Sequence, residues 1–234
     1  MVFYAYVKHV SDSWSARYLI TFASREVADE WWRAVSTSPT AFANSIHRVN
    51  ALFYTHNTGM ADATASLTTN GVASQFLGKV FFTLLNDLNL SHRGLNIIPP
   101  LGHFVDHISG NSFFIRSKVT PYDYWYCPQS CNANTAVYAS RTERTRFAVS
   151  RTDRGTAGTV MIGSDKITVR LTTVNLSVDV NASTGHAILS PAPQSGLTFG
   201  ALLNNFTVGP TLFENDERVK ELLYTENGEE WELA

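Results

Sequence analysis

The sequence predicts an α+β fold, rich in antiparallel sheet, with two main helices and a short C-terminal helix. Segments of aromatic and β-branched residues bounded by polar turns recur along the chain, as strands do. Two stretches instead repeat apolar residues at helical spacing: Val27, Trp31 and Val35, then Val72, Phe76, Val80, Leu84 and Leu88. With 234 residues, 44% of them apolar, the chain can bury a sizeable core as one large domain or two small ones.

In chain order, residues 2–10 and 17–23 read as strands around a Ser11-Asp12-Ser13 turn. Ser24 is placed to cap a helix over 24–36, which stops before Pro39. Trp31 and Trp32 sit inside it, and helical spacing makes Trp31 a core residue rather than a stacking platform. A third strand is expected over 46–54, a polar loop over 55–71 and the second helix over 72–90, weakened at Gly78 and ended by His92-Arg93-Gly94. Pro99-Pro100 marks a break, so residues 1–100 form an α+β part and 101–234 a β-rich part with an acidic tail. Within the second part, 113–119, 160–162 and 167–180 read as strands. Alternation changes phase at Thr172-Thr173, which calls for a bulge or a break. Asn215 is placed to cap a helix to about Tyr224, with Val219, Leu222 and Leu223 inward.

Composition removes several classes. No apolar run approaches the roughly 18 residues of a membrane helix, and the first ten residues lack the pattern of a secretory signal. The expectation is a soluble, cytoplasmic monomer without membrane attachment. Cys127 and Cys131 have no matching histidine pair, so no zinc site is expected; a short local disulfide is open to them, and free thiols are expected in a reducing compartment. His103 and His107, in His-Phe-Val-Asp-His, lack a zinc protease's glutamate and read as structural. Glycine-rich phosphate loops and nucleophile elbows are absent. No metal or cofactor is called for.

The net charge of −2 conceals an asymmetry. Residues 116–170 hold nine basic residues against four acidic ones, and 214–234 hold eight acidic against two basic. A local basic field attracts phosphates even on a nearly neutral protein. The bland alternative is that both segments are solvated and pair with each other. The densest part, Arg141 to Arg154, has five of the chain's 18 lysines and arginines and contains Glu143-Arg144-Thr145-Arg146-Phe147. On a helix Glu143 and Arg146 share a face; on a strand they point apart. Local sequence permits either. Just upstream, Tyr122, Tyr124, Trp125 and Tyr126 place four aromatics in five positions.

Glu143, Arg146 and Phe147 resemble the Glu-x-x-Arg-Phe active-site element of ribosome-inactivating proteins, with the intracellular mushroom members the nearest in character. Arg144 stands where that family favours a small residue, and Ser140 and Arg141 replace its flanking apolar positions. The resemblance implies an rRNA N-glycosylase, a defence toxin that removes one adenine from the sarcin–ricin loop of large-subunit ribosomal RNA and so inhibits protein synthesis. Glu143 would stabilise positive charge on the ribose as the glycosidic bond breaks, and Arg146 would donate to the departing adenine. Tyr122, Tyr124, Trp125 and Tyr126 would stack the extruded base, and Arg144 and Arg151 would hold phosphates. The implied partner is the ribosome. A competing reading is a carbohydrate-binding, lectin-like defence protein without catalysis, whose exposed Trp and Tyr stack on sugars.

Overall fold

A computed structural model describes residues 1–11, 16–85, 105–153, 158–193, 196–214 and 217–234. It divides into two compact units, Met1–Asp106 and His107–Ala234. The fold is mostly β, with three sheets and three short helices among the described residues, and this overturns the expected α+β fold with two main helices.

In the first unit β1 (Phe3–His9) and β2 (Tyr18–Phe22) lead to helix α1 (Arg25–Ser36) and the short α2 (Ala41–Ser45). Strands β3 (Ile46–Asn50), β4 (Phe53–His56) and β5 (Val80–Leu84) complete one sheet, ordered β3-β4-β1-β2-β5, in which β1 and β4 run parallel and the other pairs antiparallel. Helix α1 starts as its sequence dictates, with the Ser24 hydroxyl accepting from the Val27 amide. It buries Ala28, Trp31 and Val35, and the Trp31 indole donates to Ser66 Oγ at 3.1 Å. Asp29, also buried, accepts from Arg25 Nε and Arg48 Nη1, both at 3.0 Å, while Arg48 Nη2 donates to Asp106 at 2.7 Å. Burying those charges is tolerable because they are mutually paired and hydrogen-bonded.

The second predicted helix does not form. Residues 74–76 make a single 3-10 turn, Gly78 takes a left-handed φ of 80°, and Val80–Leu84 continue as β5 on the edge of the sheet. The apolar four-residue spacing is real but serves a different end: Phe76 and Val80 are buried, whereas Leu84 is half exposed. Glycine ends the turn and the run Val-Phe-Phe-Thr-Leu suits an extended edge. Residues 86–104, with the rest of that expected helix, His92-Arg93-Gly94, Pro99-Pro100 and His103, lie outside the described residues.

The second unit alternates between two antiparallel sheets. Strands β6 (Ser112–Phe113) and β7 (Ile115–Ser117) are consecutive yet belong to different sheets, with Phe114 at the crossover. Next come β8 (Tyr124–Tyr126), β9 (Tyr138–Ser140), β10 (Phe147–Arg151), β11 (Ile167–Leu171), β12 (Ser177–Val180) and β13 (Ala187–Ser190). After helix α3 (Phe199–Asn204), capped by the Thr198 hydroxyl, follow β14 (Phe206–Glu214), β15 (Glu217–Tyr224) and β16 (Trp231–Leu233). The sheets are ordered β13-β12-β11-β10-β6 and β14-β15-β9-β8-β7-β16. The phase change at Thr172-Thr173 falls in the turn between β11 and β12. The expected C-terminal helix is instead β15, paired along its length with β14. Its buried Val219 and Leu222 have helical spacing, but hairpin pairing overrides that local signal.

Trp125 of β8 joins the two sheets of this unit. Its ring centroid lies 6.0 Å from Phe147 of β10, 4.8 Å from Phe206 and 6.0 Å from Trp231, all fully buried. Trp231 donates its indole N–H to the Phe206 carbonyl at 2.9 Å; the buried Trp125 indole N–H has no partner among the described residues, so packing holds the ring. Replacing Trp125 by alanine is expected to lower unfolding stability by about 3–5 kcal/mol. Phe213→Ala, at the exposed tip of β14, is expected to shift it by less than about 0.5 kcal/mol. Urea melts of the two variants check both values.

Candidate nucleic-acid interface

Period-two alternation in β8 puts Trp125 inward and Tyr124 and Tyr126 on the outer face of the six-stranded sheet. The same rule acts on the strands at the crossover: Phe113, Ile115 and Ser117 are buried, so Phe114 and Arg116 face outward. Arg116 lies 4.3 Å from the Tyr122 ring centroid and donates through Nε to Glu232 at 2.7 Å. The Tyr122 and Tyr124 rings meet edge to face at 6.5 Å.

The segment between β9 and β10 completes this face. It is neither helix nor strand and opens on a bend at residues 141–142. Its start is turned by the Ser140 hydroxyl, which accepts from the amides of Thr142 and Glu143 at 3.2 and 3.1 Å. Its end is tied inward at Thr145, whose amide donates to the Trp125 carbonyl at 2.9 Å and whose hydroxyl accepts from the Cys127 amide at 2.9 Å. With Thr145 and Phe147 inward, Arg144 and Arg146 emerge on the other side. Both guanidiniums lie 4.6 Å from the Phe114 ring centroid, and Arg144 is 5.8 Å from Tyr124. Arg146 also donates to the Ser112 carbonyl at 3.0 Å. The result is a run of alternating rings and guanidiniums: Tyr122, Arg116, Tyr124, Arg144, Phe114, Arg146. Each exposed cation–π contact contributes about 0.5–1 kcal/mol, enough to order the side chains without neutralising them. Two like charges on one ring repel, and an anion between them relieves that repulsion.

The two charged residues that the Glu-x-x-Arg-Phe element joins are engaged separately: Arg146 lies against Phe114 and donates to the Ser112 carbonyl. Glu143 is exposed and forms no ion pair with Arg146. Its charge acts on Tyr126, whose hydroxyl pKa is raised first by burial and next by Glu143 and Glu217. Tyr138 is raised likewise, by burial and then by Glu214. An acidic border, Glu143, Glu214 and Glu217, thus flanks the cationic run.

Three other expectations are corrected by packing. Trp125 is fully buried in the core, so it offers no face to a base. Phe147 is buried as well. Arg151 is occupied, paired with Asp153 and, at 3.4 Å, with Asp165, and its side chain is 13% exposed, which leaves no fork for a phosphate. The basic stretch as a whole is partly neutralised. Arg116 pairs with Glu232, Lys118 with Glu230 and Arg141 with Asp123. Arg144, Arg146, Lys166 and Arg170 are exposed and form no ion pair among the described residues; Arg154 lies outside them. Sequence reasoning missed Phe114, and the signal that finds it is the inward Phe113 and Ile115 on either side.

Two of the described histidines serve hydrogen bonding and packing. His56, in the first unit, is fully buried, its Nδ1 accepting from the Ala63 amide and its Nε2 bonded to the Ala16 carbonyl. The His107 ring packs against Phe199 at 5.1 Å. Among the described residues no three metal-binding side chains gather, and both cysteines are free thiols. No known family model, curated protein or solved structure matches the chain. The likeness to ribosome-inactivating proteins therefore rests on Glu143, Arg146 and Phe147 alone.

Removing the Glu143 charge is expected to let Tyr126 ionise at lower pH. In Glu143→Gln, the phenolate absorbance of Tyr126 should appear earlier in an alkaline titration than in the parent, read against a Tyr126→Phe control. A raised folded-state tyrosine pKa also means that stability from this group is present below the unfolded value of about 10 and lost as pH rises through the folded one. An unchanged titration would place Glu143 away from this ring.

Proposed function

We propose that the face built from Phe114, Arg116, Tyr122, Tyr124, Arg144 and Arg146 binds RNA, with unpaired bases stacking on the rings and phosphates meeting Arg144 and Arg146. One observation carries this reading: two exposed guanidiniums, without carboxylate partners among the described residues, share the Phe114 ring. Aromatic faces interleaved with cations suit single strands, because every base has a π face and every linkage a charge. The lectin alternative keeps the outward tyrosines and loses only Trp125, which is buried. Ribosomal RNA is the target that the sequence resemblance favours, and no cofactor enters the proposal.

Base release is a second reading. It is favoured by the exposed Glu143 carboxylate at the border of the same face, near the Tyr126 ring. A carboxylate there would stabilise positive charge developing on a ribose whose base is extruded. Arg146, held against Phe114, is placed for phosphate or base contact rather than for a joint pocket with Glu143.

Binding to a single-stranded RNA oligomer is expected to weaken steeply with salt, and Arg144→Ala with Arg146→Ala should flatten the slope of log K against log salt by about 0.7 for each phosphate no longer neutralised. Phe114→Ala should cost about 1–3 kcal/mol for a stacked base. An unaltered slope and affinity in these variants would remove the interface from this face. Aniline treatment of ribosomal RNA after incubation with the protein reads base release separately. Cleavage abolished by Glu143→Gln supports the glycosylase, and RNA binding without any cleavage leaves a binding protein.

A further inference from the structure

The dithiol Cys127-Pro128-Gln129-Ser130-Cys131 follows β8, the strand that carries Tyr124 and Tyr126. Cys127 comes directly after the last residue of β8 and is buried, while Cys131 is partly buried and donates its S–H to the Pro128 carbonyl at 2.8 Å. Cys127 is also the anchor of the arginine segment. Its amide donates to Thr145 Oγ1, and Thr145 Oγ1 lies 3.4 Å from the Cys127 carbonyl, so both backbone groups of one cysteine hold the residue between Arg144 and Arg146.

We infer that Cys127 and Cys131 form a redox latch whose oxidation to a disulfide releases the Thr145 anchor and disperses Arg144 and Arg146 from Phe114. Closing the disulfide draws two sulfurs that are free thiols here to about 2 Å from each other. That movement starts at the residue whose amide and carbonyl contact Thr145 Oγ1. The chemistry assigns unequal roles. Burial, and then the neighbouring Cys131, push the Cys127 thiol up, so Cys131 reacts first. The Cys131 thiolate attacks a low-molecular-weight disulfide such as oxidised glutathione, expelling one thiolate and leaving a mixed disulfide. The Cys127 thiolate then attacks the Cys131 sulfur, expels the second thiolate and closes the protein disulfide. Two protein thiols give up two protons and two electrons, and one small disulfide becomes two small thiols.

The inference rests on the RNA-binding reading for its consequence but not for its mechanics, and the test separates the two. The full chain and Cys131→Ser are each equilibrated with oxidised glutathione, then examined by intact mass, amide hydrogen exchange and binding to single-stranded RNA. The expected result for the parent is a mass lower by two hydrogens, faster exchange at the Cys127 amide, which donates to Thr145 Oγ1, and RNA binding weakened by about tenfold, the scale of one charge-assisted hydrogen bond, all reversed by dithiothreitol. Cys131→Ser should match the reduced parent and stay unchanged by oxidant. An unchanged mass, a persistent mixed disulfide, or a protein disulfide with unchanged exchange at the Cys127 amide overturns the latch. If exchange responds but neither form binds RNA, the latch stands and the RNA-binding reading fails. If the disulfide forms and exchange responds while RNA affinity is unchanged, control of the interface is refuted.

Discussion

The burial of Trp125 between two sheets is the constraint from which the rest of the second unit follows. A tryptophan at the centre of a three-residue strand commits both neighbours to the opposite face. Its contact with Phe147 sets β10 against β8, so the chain leaving β9 must cross from the six-stranded sheet to the other one to enter β10. That passage is the arginine segment. The Trp125 carbonyl holds the same segment through Thr145, so the core residue fixes the surface one by packing on one side and by hydrogen bonding on the other. An indole N–H without a partner among the described residues is an acceptable cost for a ring that contacts Phe147, Phe206 and Trp231.

The charge asymmetry resolves into two populations. Part of the basic stretch is consumed internally: Asp123, itself buried, gathers Lys220 at 2.8 Å and Arg141 at 3.3 Å, and the acidic tail supplies Glu230 and Glu232 to Lys118 and Arg116. Exposed pairs such as Lys118–Glu230 contribute little stability, so their main effect is on the field. They erase the uniform positive face that composition implies and leave it concentrated at Arg144 and Arg146, with Lys166 and Arg170 as further exposed cations. Next to it stands the acidic border around Tyr126 and Tyr138. A polyanion meeting this surface is oriented as well as attracted.

How much of this is legible in the sequence varies with the distance over which each feature is decided. Helix α1 is legible because its cap and its Trp31 and Val35 stripe are local. The antiparallel character of the chain is legible from short β-branched and aromatic runs. The two other expected helices fail because Val80 and Leu84, and Val219 and Leu222, share helical spacing by coincidence. Pairing decides their state: β5 with β2, tens of residues earlier, and β15 with its hairpin partner β14. At the site, Arg144, Arg146 and the tyrosines are legible as cations and rings. Trp125 is not, because the phase of a strand rich in aromatics cannot be chosen without knowing which face meets the second sheet. Arg151 reads as a phosphate ligand only until Asp165, beyond a turn, is seen to pair with it. Glu143 and Arg146 turn on helix against strand, which the sequence leaves open; the segment is neither, and Arg146 is drawn to Phe114 and the Ser112 carbonyl.

The central claim is that the outer face around Phe114 and Tyr124 receives unpaired bases while Trp125 stays in the core. The measurement that tests it most directly is the proton NMR spectrum of the aromatic rings during titration with a short single-stranded RNA. Stacking predicts upfield ring-current shifts at Phe114, Tyr122 and Tyr124 together, with Trp125 and Phe147 unmoved and no such shifts when the same RNA is paired in a duplex. Shifts at Trp125, or binding that leaves the Phe114 and Tyr124 rings unperturbed, would contradict the account.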